Sequence, residues 1–360
     1  MGLVSACRQL GPALRRLSFV TNPAVRARLR SPLSFAVVGL VVLVLLAGVL
    51  GNLGDDAPSA SAAAPLLVRE PGVDRSADVA ATSGLPAYVV PATAPIPRRP
   101  QLPGGGYRIF GDHRFLVAYY GTAQTRAMGV LGASDPATMQ RRLLRAARPF
   151  KERGEHIQPV YELIVTVADR SPGPDRDFSH DIPRDLVERY VRAAHHNGAL
   201  LLLDLQTGRA PFPVVAKRWT WALKKPWVGL ALDPEWRMGP HQVPATVVGS
   251  VRAAEVNRTS AWLSRLVRRH DLPEKLFVLH QFRLSMLPDI AKIEHRPGLA
   301  MVQHADGFGT RGQKLATYHA ITRPHQFRQG FKLFYHWDVH RFTPQQVRRI
   351  RPAVSFVSYQ

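Results

Sequence analysis

The sequence predicts a (β/α)8 barrel of the TIM type over residues 107–360, preceded by one apolar helix and a tether. Three observations carry that prediction. Eight apolar runs recur between Phe115 and Gln360, seven helical patterns lie between them, and most of the runs end in a polar, often ionisable residue. Continuous apolar runs alternating with helical periodicity read as parallel strands covered on both faces. Eight strands with seven helices in about 250 residues match the order and size of this barrel.

The strand runs are FLVAYY (115–120), PVYELIVTVA (159–168), ALLLLDLQ (199–206), VGLALDPEW (228–236), KLFVLHQF (275–282), LAMVQHAD (299–306), GFKLFYHWD (330–338) and AVSFVSYQ (353–360). Helical periodicity covers 136–152, 183–197, 211–224, 257–270, 284–294, 310–322 and 343–350. The pattern stops on the eighth strand, so the predicted barrel lacks its last helix. Two long insertions, 169–183 and 237–255, follow the second and fourth strands, where such loops form lids and substrate walls.

Ahead of the barrel, residues 33–53 (LSFAVVGLVVLVLLAGVLGNL) carry no charge. About 20 apolar residues suffice for one helix to cross a bilayer core. Six arginines and no acid precede this run, and Asp55-Asp56 follows it. The asymmetry predicts a basic cytoplasmic segment (1–32), a transmembrane signal-anchor (33–53) and an extracytoplasmic, cell-surface barrel. The alternative is a signal peptide cleaved near Ala60-Ser61-Ala62. Residues 54–106 are rich in Ala, Pro and Gly and read as a linker unable to bury a core. The single cysteine, Cys7, leaves the barrel without disulfides, thiol nucleophiles or thiolate metal sites.

The net charge is +22, and residues 107–360 hold 38 basic against 21 acidic residues, or +17. The arginines are spread over helix faces without interleaved aromatics, so nucleic acid is not the expected partner. A solvated basic surface is expected, or else attraction to anionic wall polymers or lipid headgroups.

In this fold the chemistry sits where strands end. Asp204 and Gln206 share a face at the end of the third strand, and Asp233 and Glu235 share one at the end of the fourth. Trp236 follows them as a possible sugar platform; alternatively Asp233 caps a turn and Trp236 fills the rim. His280 with Gln281, His304 with Asp306, and His336 with Asp338 end the next three strands. Tyr120 and Trp337 add aromatic walls. Glu162 lies inside an apolar run, where an unpaired charge costs several kcal/mol. Lys332, in the equally apolar GFKLFY, is its expected partner. Glu255 and Asn257 either reach the site or cap the helix they begin.

The segments VAYYG (117–121), LLLDLQ (201–206), GLALDPEWRMGP (229–240), AAEVNRTSAWL (253–263), LPEKLFVLHQF (272–282), AMVQHADGFG (300–309) and GFKLFYHWD (330–338) together resemble a family of uncharacterised exported, membrane-anchored TIM-barrel proteins of high-GC Gram-positive bacteria. The family is glycoside-hydrolase-like in form. The resemblance spans nearly the whole barrel and implies fold and location, but no catalytic roles.

Glycoside hydrolysis needs two carboxyl groups, one protonated and one acting as base or nucleophile. The sequence therefore leads to a tethered, envelope-facing glycosidase that acts on a carbohydrate or cell-wall polymer. Asp233 or Glu235 serves as acid and Asp204 or Asp306 as its counterpart. Tyr120, Glu162, Gln206, Trp236, His280, Gln281, His304, His336 and Trp337 form the expected binding surface. Neither a cofactor nor a resident metal is expected. Two alternatives stay open: a non-catalytic module that binds a glycan or peptide during envelope assembly, and a metal-dependent hydrolase using Asp204, Asp233, His280 and His304.

Overall fold

Eight parallel strands close on themselves in the computed structural model, which describes residues 99–360. They are β1 (Arg114–Gly121), β2 (His156–Ala168), β4 (Leu200–Leu205), β5 (Val228–Leu232), β6 (Lys275–Gln281), β7 (Leu299–Ala305), β8 (Arg328–Leu333) and β9 (Val354–Tyr359). Pairing of β1 with both β2 and β9 shuts the barrel. The predicted barrel is therefore present. The expected anchor at 33–53 and the segments around it lie outside the described residues. Among the described residues no helix is long and apolar enough to cross a membrane.

The helices between strands are α1 (Pro136–Ala147), α2 (Arg184–His196), α3 (Phe212–Arg218), α4 (Thr220–Leu223), α5 (Ala253–Arg269), α6 (Arg311–Ile321) and α7 (Pro344–Arg348). Local chemistry sets several starts. Asp135 accepts from the Ala137 and Thr138 amides at 3.0 Å each ahead of Pro136. Thr310–Gln313 and Thr343–Gln346 form capping boxes.

Three expectations are corrected by local backbone chemistry. The helix expected over 284–294 is two 3-10 turns, Leu284–Met286 and Ile290–Lys292. Pro288 lacks the amide that a helix there would need and restricts Leu287 before it. The strand expected to reach 236 stops at Leu232, because Pro234 cannot donate to a ladder and opens a 3-10 turn, Pro234–Trp236. The strand expected to reach 338 stops at Leu333, where the Asp338 carboxylate accepts the Phe334 amide at 3.0 Å and closes a loop. An added strand, β3 (Ser179–Asp181), runs antiparallel to the end of β2 within the 169–183 insertion.

Alternation along the strands divides the core in two. Outward residues such as Leu203, Leu230, Phe277 and Val357 pack against helix residues such as Met139, Val187, Leu263 and Tyr318. Inward residues fill the barrel: Leu116, Ala118, Val160, Leu202, Ala231, Val278, Val302 and Phe356. Leu102 and Ile109 join them, so the segment before β1 seals the N-terminal end and packing begins inside the stretch read as linker. Burial of each large apolar side chain contributes about 1.5–3 kcal/mol. The inward set is apolar at this end and becomes polar one step further along every strand, where the candidate site begins.

Candidate active site

Register places the polar layer. Tyr120 lies beside Glu162 across β1–β2, and His280 beside His304 across β6–β7. Lys332 lies beside Ser358 across β8–β9. Asp204 is the last residue but one of β4, while Asp233 and Asp306 sit just past β5 and β7. Glu162, Asp204, His280 and His304 are wholly buried; Asp233 and Lys332 are 2% exposed and Asp306 8%. Gly330 makes room for this layer, since a Cβ there would strike the His304 ring.

His280 is the hub. Its Nε2 stands 3.1 Å from Glu162 Oε1 and 3.8 Å from Asp204 Oδ1, and its Nδ1 stands 3.0 Å from Asp306 Oδ2. Burial alone would lower its pKa, but Asp306, Glu162 and Asp204 raise it well above the ordinary imidazole value. The three carboxyls around His280 thus favour its imidazolium form. His304, 5.2 Å away between ring centres, is pushed the opposite way by burial and by the His280 charge. It stays neutral, with Nε2 at 3.2 Å from Ser358 Oγ.

Lys332 does not pair with Glu162 as expected. Its Nζ reaches Asp306 Oδ1 at 3.1 Å and Oδ2 at 3.2 Å, and sits 3.4 Å from the centre of the Tyr120 ring. The reason is position: β8 pairs with β7 so that Lys332 lies level with Asp306, while His280 stands against Glu162. Burial would raise the Asp306 pKa, but Lys332 and His280 overcome it and hold that carboxyl well below its usual range. Tyr120 donates to Asp204 Oδ2 at 2.8 Å, and Gln206 donates to the Tyr120 hydroxyl at 3.3 Å.

The remaining acids move upward. Burial raises Asp204 to about 6, even with His280 nearby. Burial and then the Asp204 charge raise Asp233 well above the carboxylate range. Glu235 lies partly exposed at the rim, and burial of its carboxyl with the Asp306 charge raises it to about 7. Asp233 and Glu235 do not share a strand face. Asp233 caps the 3-10 turn and accepts the Glu235 amide at 3.2 Å, so one carboxyl points into the barrel and the other onto the rim.

The structure thus brings together nine of the expected residues: Tyr120, Glu162, Asp204, Gln206, Asp233, Glu235, His280, His304 and Asp306. Trp236 is half-buried on the same turn as Glu235. Three expected residues stand apart. Gln281 faces outward, accepting from Gln303 Nε2 at 2.7 Å and donating to Arg283 O at 3.0 Å, because it is one residue from inward His280. His336 and Trp337 are exposed on the loop after β8, which their expected strand does not reach. Glu255 and Asn257 are structural ties: Glu255 pairs with Arg237 at 2.9 Å, and Asn257 donates to Lys292 O at 2.9 Å.

Sequence reasoning missed Ser358, although its place two residues after inward Phe356 on an apolar strand signals it. It also missed the buried pair Lys314–Asp338, 2.9 Å apart, which buttresses β8 because Lys314 also donates to Lys332 O at 2.8 Å. Among the described residues no group of three or more His, Cys, Asp or Glu is arranged to hold a metal ion.

Fold and site define a (β/α)8 barrel whose C-terminal interior is a charged, proton-holding cluster. Comparison with protein-family models and with curated proteins finds no match for the chain.

Proposed function

We propose that this barrel is a glycoside hydrolase working by carboxylate acid/base chemistry, with Glu235 as general acid and Asp306 as its ionised counterpart. One observation carries the reading: two neighbouring carboxyls at the mouth are driven apart in pKa, Glu235 up to about 7 and Asp306 down. Such a split separates acid from base on an enzyme surface. Glu235 protonates the leaving glycosidic oxygen, and its place on the rim gives substrate access to it. Asp306 either attacks the anomeric carbon or activates a water. Lys332 and His280 keep it ionised, and Tyr120, Asp204 and Asp233 hold the layer beneath. The uncharged apolar run at 33–53, read from the sequence as an anchor, supports a location at the cell envelope and hence an envelope polysaccharide as substrate. The test is sugar release from purified envelope glycan by wild type and by Glu235→Gln, with the product anomer distinguishing attack from water activation.

A second reading draws on a specific observation as well. Glu162 and Asp306 are engaged with His280 and Lys332, as a non-catalytic glycan-binding module would have them. It is favoured if the chain binds an envelope glycan and releases nothing from it.

A further inference from the structure

A groove on the outside of the barrel lies between α3 and α5, remote from the ionic layer. Pro213, Val214 and Lys217 line one wall; Arg258, Trp262 and Arg265 line the other. On α5 these positions are spaced i, i+4 and i+7, which sets them on one stripe. Arg258 and Arg265 are therefore about 10 Å apart along the helix axis. Lys217, Arg258 and Arg265 are exposed, and none of their side chains is engaged in an ion pair or hydrogen bond among the described residues. No acid lines the groove.

The apolar part is equally distinctive. Val214 is 53% exposed, and Trp262 rests against the core while keeping part of its surface in the groove. Arg258 also lines a second hollow with His241 and Arg252. That second hollow lies against the loop that follows the Pro234–Trp236 turn and includes Glu255, whose carboxylate is already paired with Arg237 at 2.9 Å. Cations left unneutralised around a partly exposed indole match a ring-shaped ligand carrying negative charge. A concave slot between two helices admits a strand, whereas a bilayer surface meets a protruding basic face.

We propose that this groove binds a strand of acidic polysaccharide, sugar rings bearing regularly spaced anionic groups, at a site separate from the mouth. Trp262 stacks on a ring, while Arg258, Arg265 and Lys217 take the acidic substituents. The proposal holds whether or not the barrel hydrolyses anything, because its readout is binding alone.

Titration calorimetry of the full chain tests it, using an oligogalacturonate, a neutral maltooligosaccharide of equal length, and phosphatidylglycerol vesicles. The oligogalacturonate is expected to bind, with affinity that falls as salt rises, because exposed charges are screened over about 8 Å at physiological ionic strength. The neutral oligosaccharide is expected not to bind. Arg258→Glu/Arg265→Glu, two exposed changes, should weaken binding by roughly tenfold or more while leaving the circular dichroism spectrum unchanged. Trp262→Leu should weaken it without altering the salt dependence. Equal binding of both oligosaccharides, unchanged affinity in the charge-reversed variant, no binding of the oligogalacturonate, or binding to vesicles alone would each overturn the proposal.

Discussion

His280 Nε2 lies 3.1 Å from Glu162 Oε1, and both side chains are wholly excluded from solvent. That contact joins β6 to β2 across the barrel interior. Such a contact matters because an unpaired polar group buried in the interior is costly. Through its second nitrogen His280 reaches Asp306, so one ring ties an interior strut to the mouth.

Removing Glu162 should therefore be expensive. Breaking one side of a buried pair typically costs about 3–5 kcal/mol. Glu162→Ala is expected to lower the denaturant midpoint accordingly, and chemical denaturation followed by circular dichroism measures it. A midpoint equal to wild type would mean that the contact contributes nothing to stability.

Lys332 should control the acid limb of stability. Asp306 has a folded pKa below its unfolded value, so its contribution is present above the ordinary aspartate range and is lost as pH falls through the folded value. Lys332→Met removes the ammonium that holds the Asp306 carboxyl down. The variant should be less stable near neutrality and should lose less on further acidification than wild type does. Parallel pH–stability curves for the two proteins would contradict this.

Asp204 and Glu235 act with the opposite sign. Burial raises both, to about 6 and about 7, so the folded state binds more protons than the unfolded chain between each ordinary value and each raised one. Stability from these groups falls as pH rises from about 4 to about 7. His280, also raised, adds to the same trend above its ordinary value. Asp204→Asn/Glu235→Gln should flatten the decline, as thermal midpoints taken across that range will show.

Gly330 should be intolerant of a side chain. Its missing Cβ leaves the space occupied by the His304 ring. Overpacking of a filled interior costs typically about 1–3 kcal/mol. Gly330→Ala is expected to lower the melting temperature and to shift the His304 ring resonances; an unperturbed spectrum would show that the neighbours yield freely.

The barrel was legible because both of its signals are local: apolar runs of strand length and helical stripes between them. The inward acids and imidazoles were legible because strand alternation and a polar ending mark them, as at Asp204, His280 and His304. What escaped depended on where a strand stops. Pro234 ends β5 early, which separates Asp233 from Glu235, and the loop closed by Asp338 carries His336 and Trp337 away from the interior. Partner choice escaped as well. Glu162 and Lys332 sit on β2 and β8, on opposite sides of β1, and only the packed interior shows that His280 reaches Glu162 first.

In the proposed hydrolysis Glu235 gives a proton to a sugar leaving group while Asp306 stays ionised. The pH–rate profile of reducing-sugar release from purified envelope polysaccharide by wild type, Glu235→Gln and Asp306→Asn tests this. The wild-type rate is expected to fall as pH rises through about 7, where Glu235 loses its proton. Each variant is expected to lose roughly 10²–10⁴ in rate, with fold retained. A Glu235→Gln variant that keeps both the wild-type rate and its alkaline limb would contradict it.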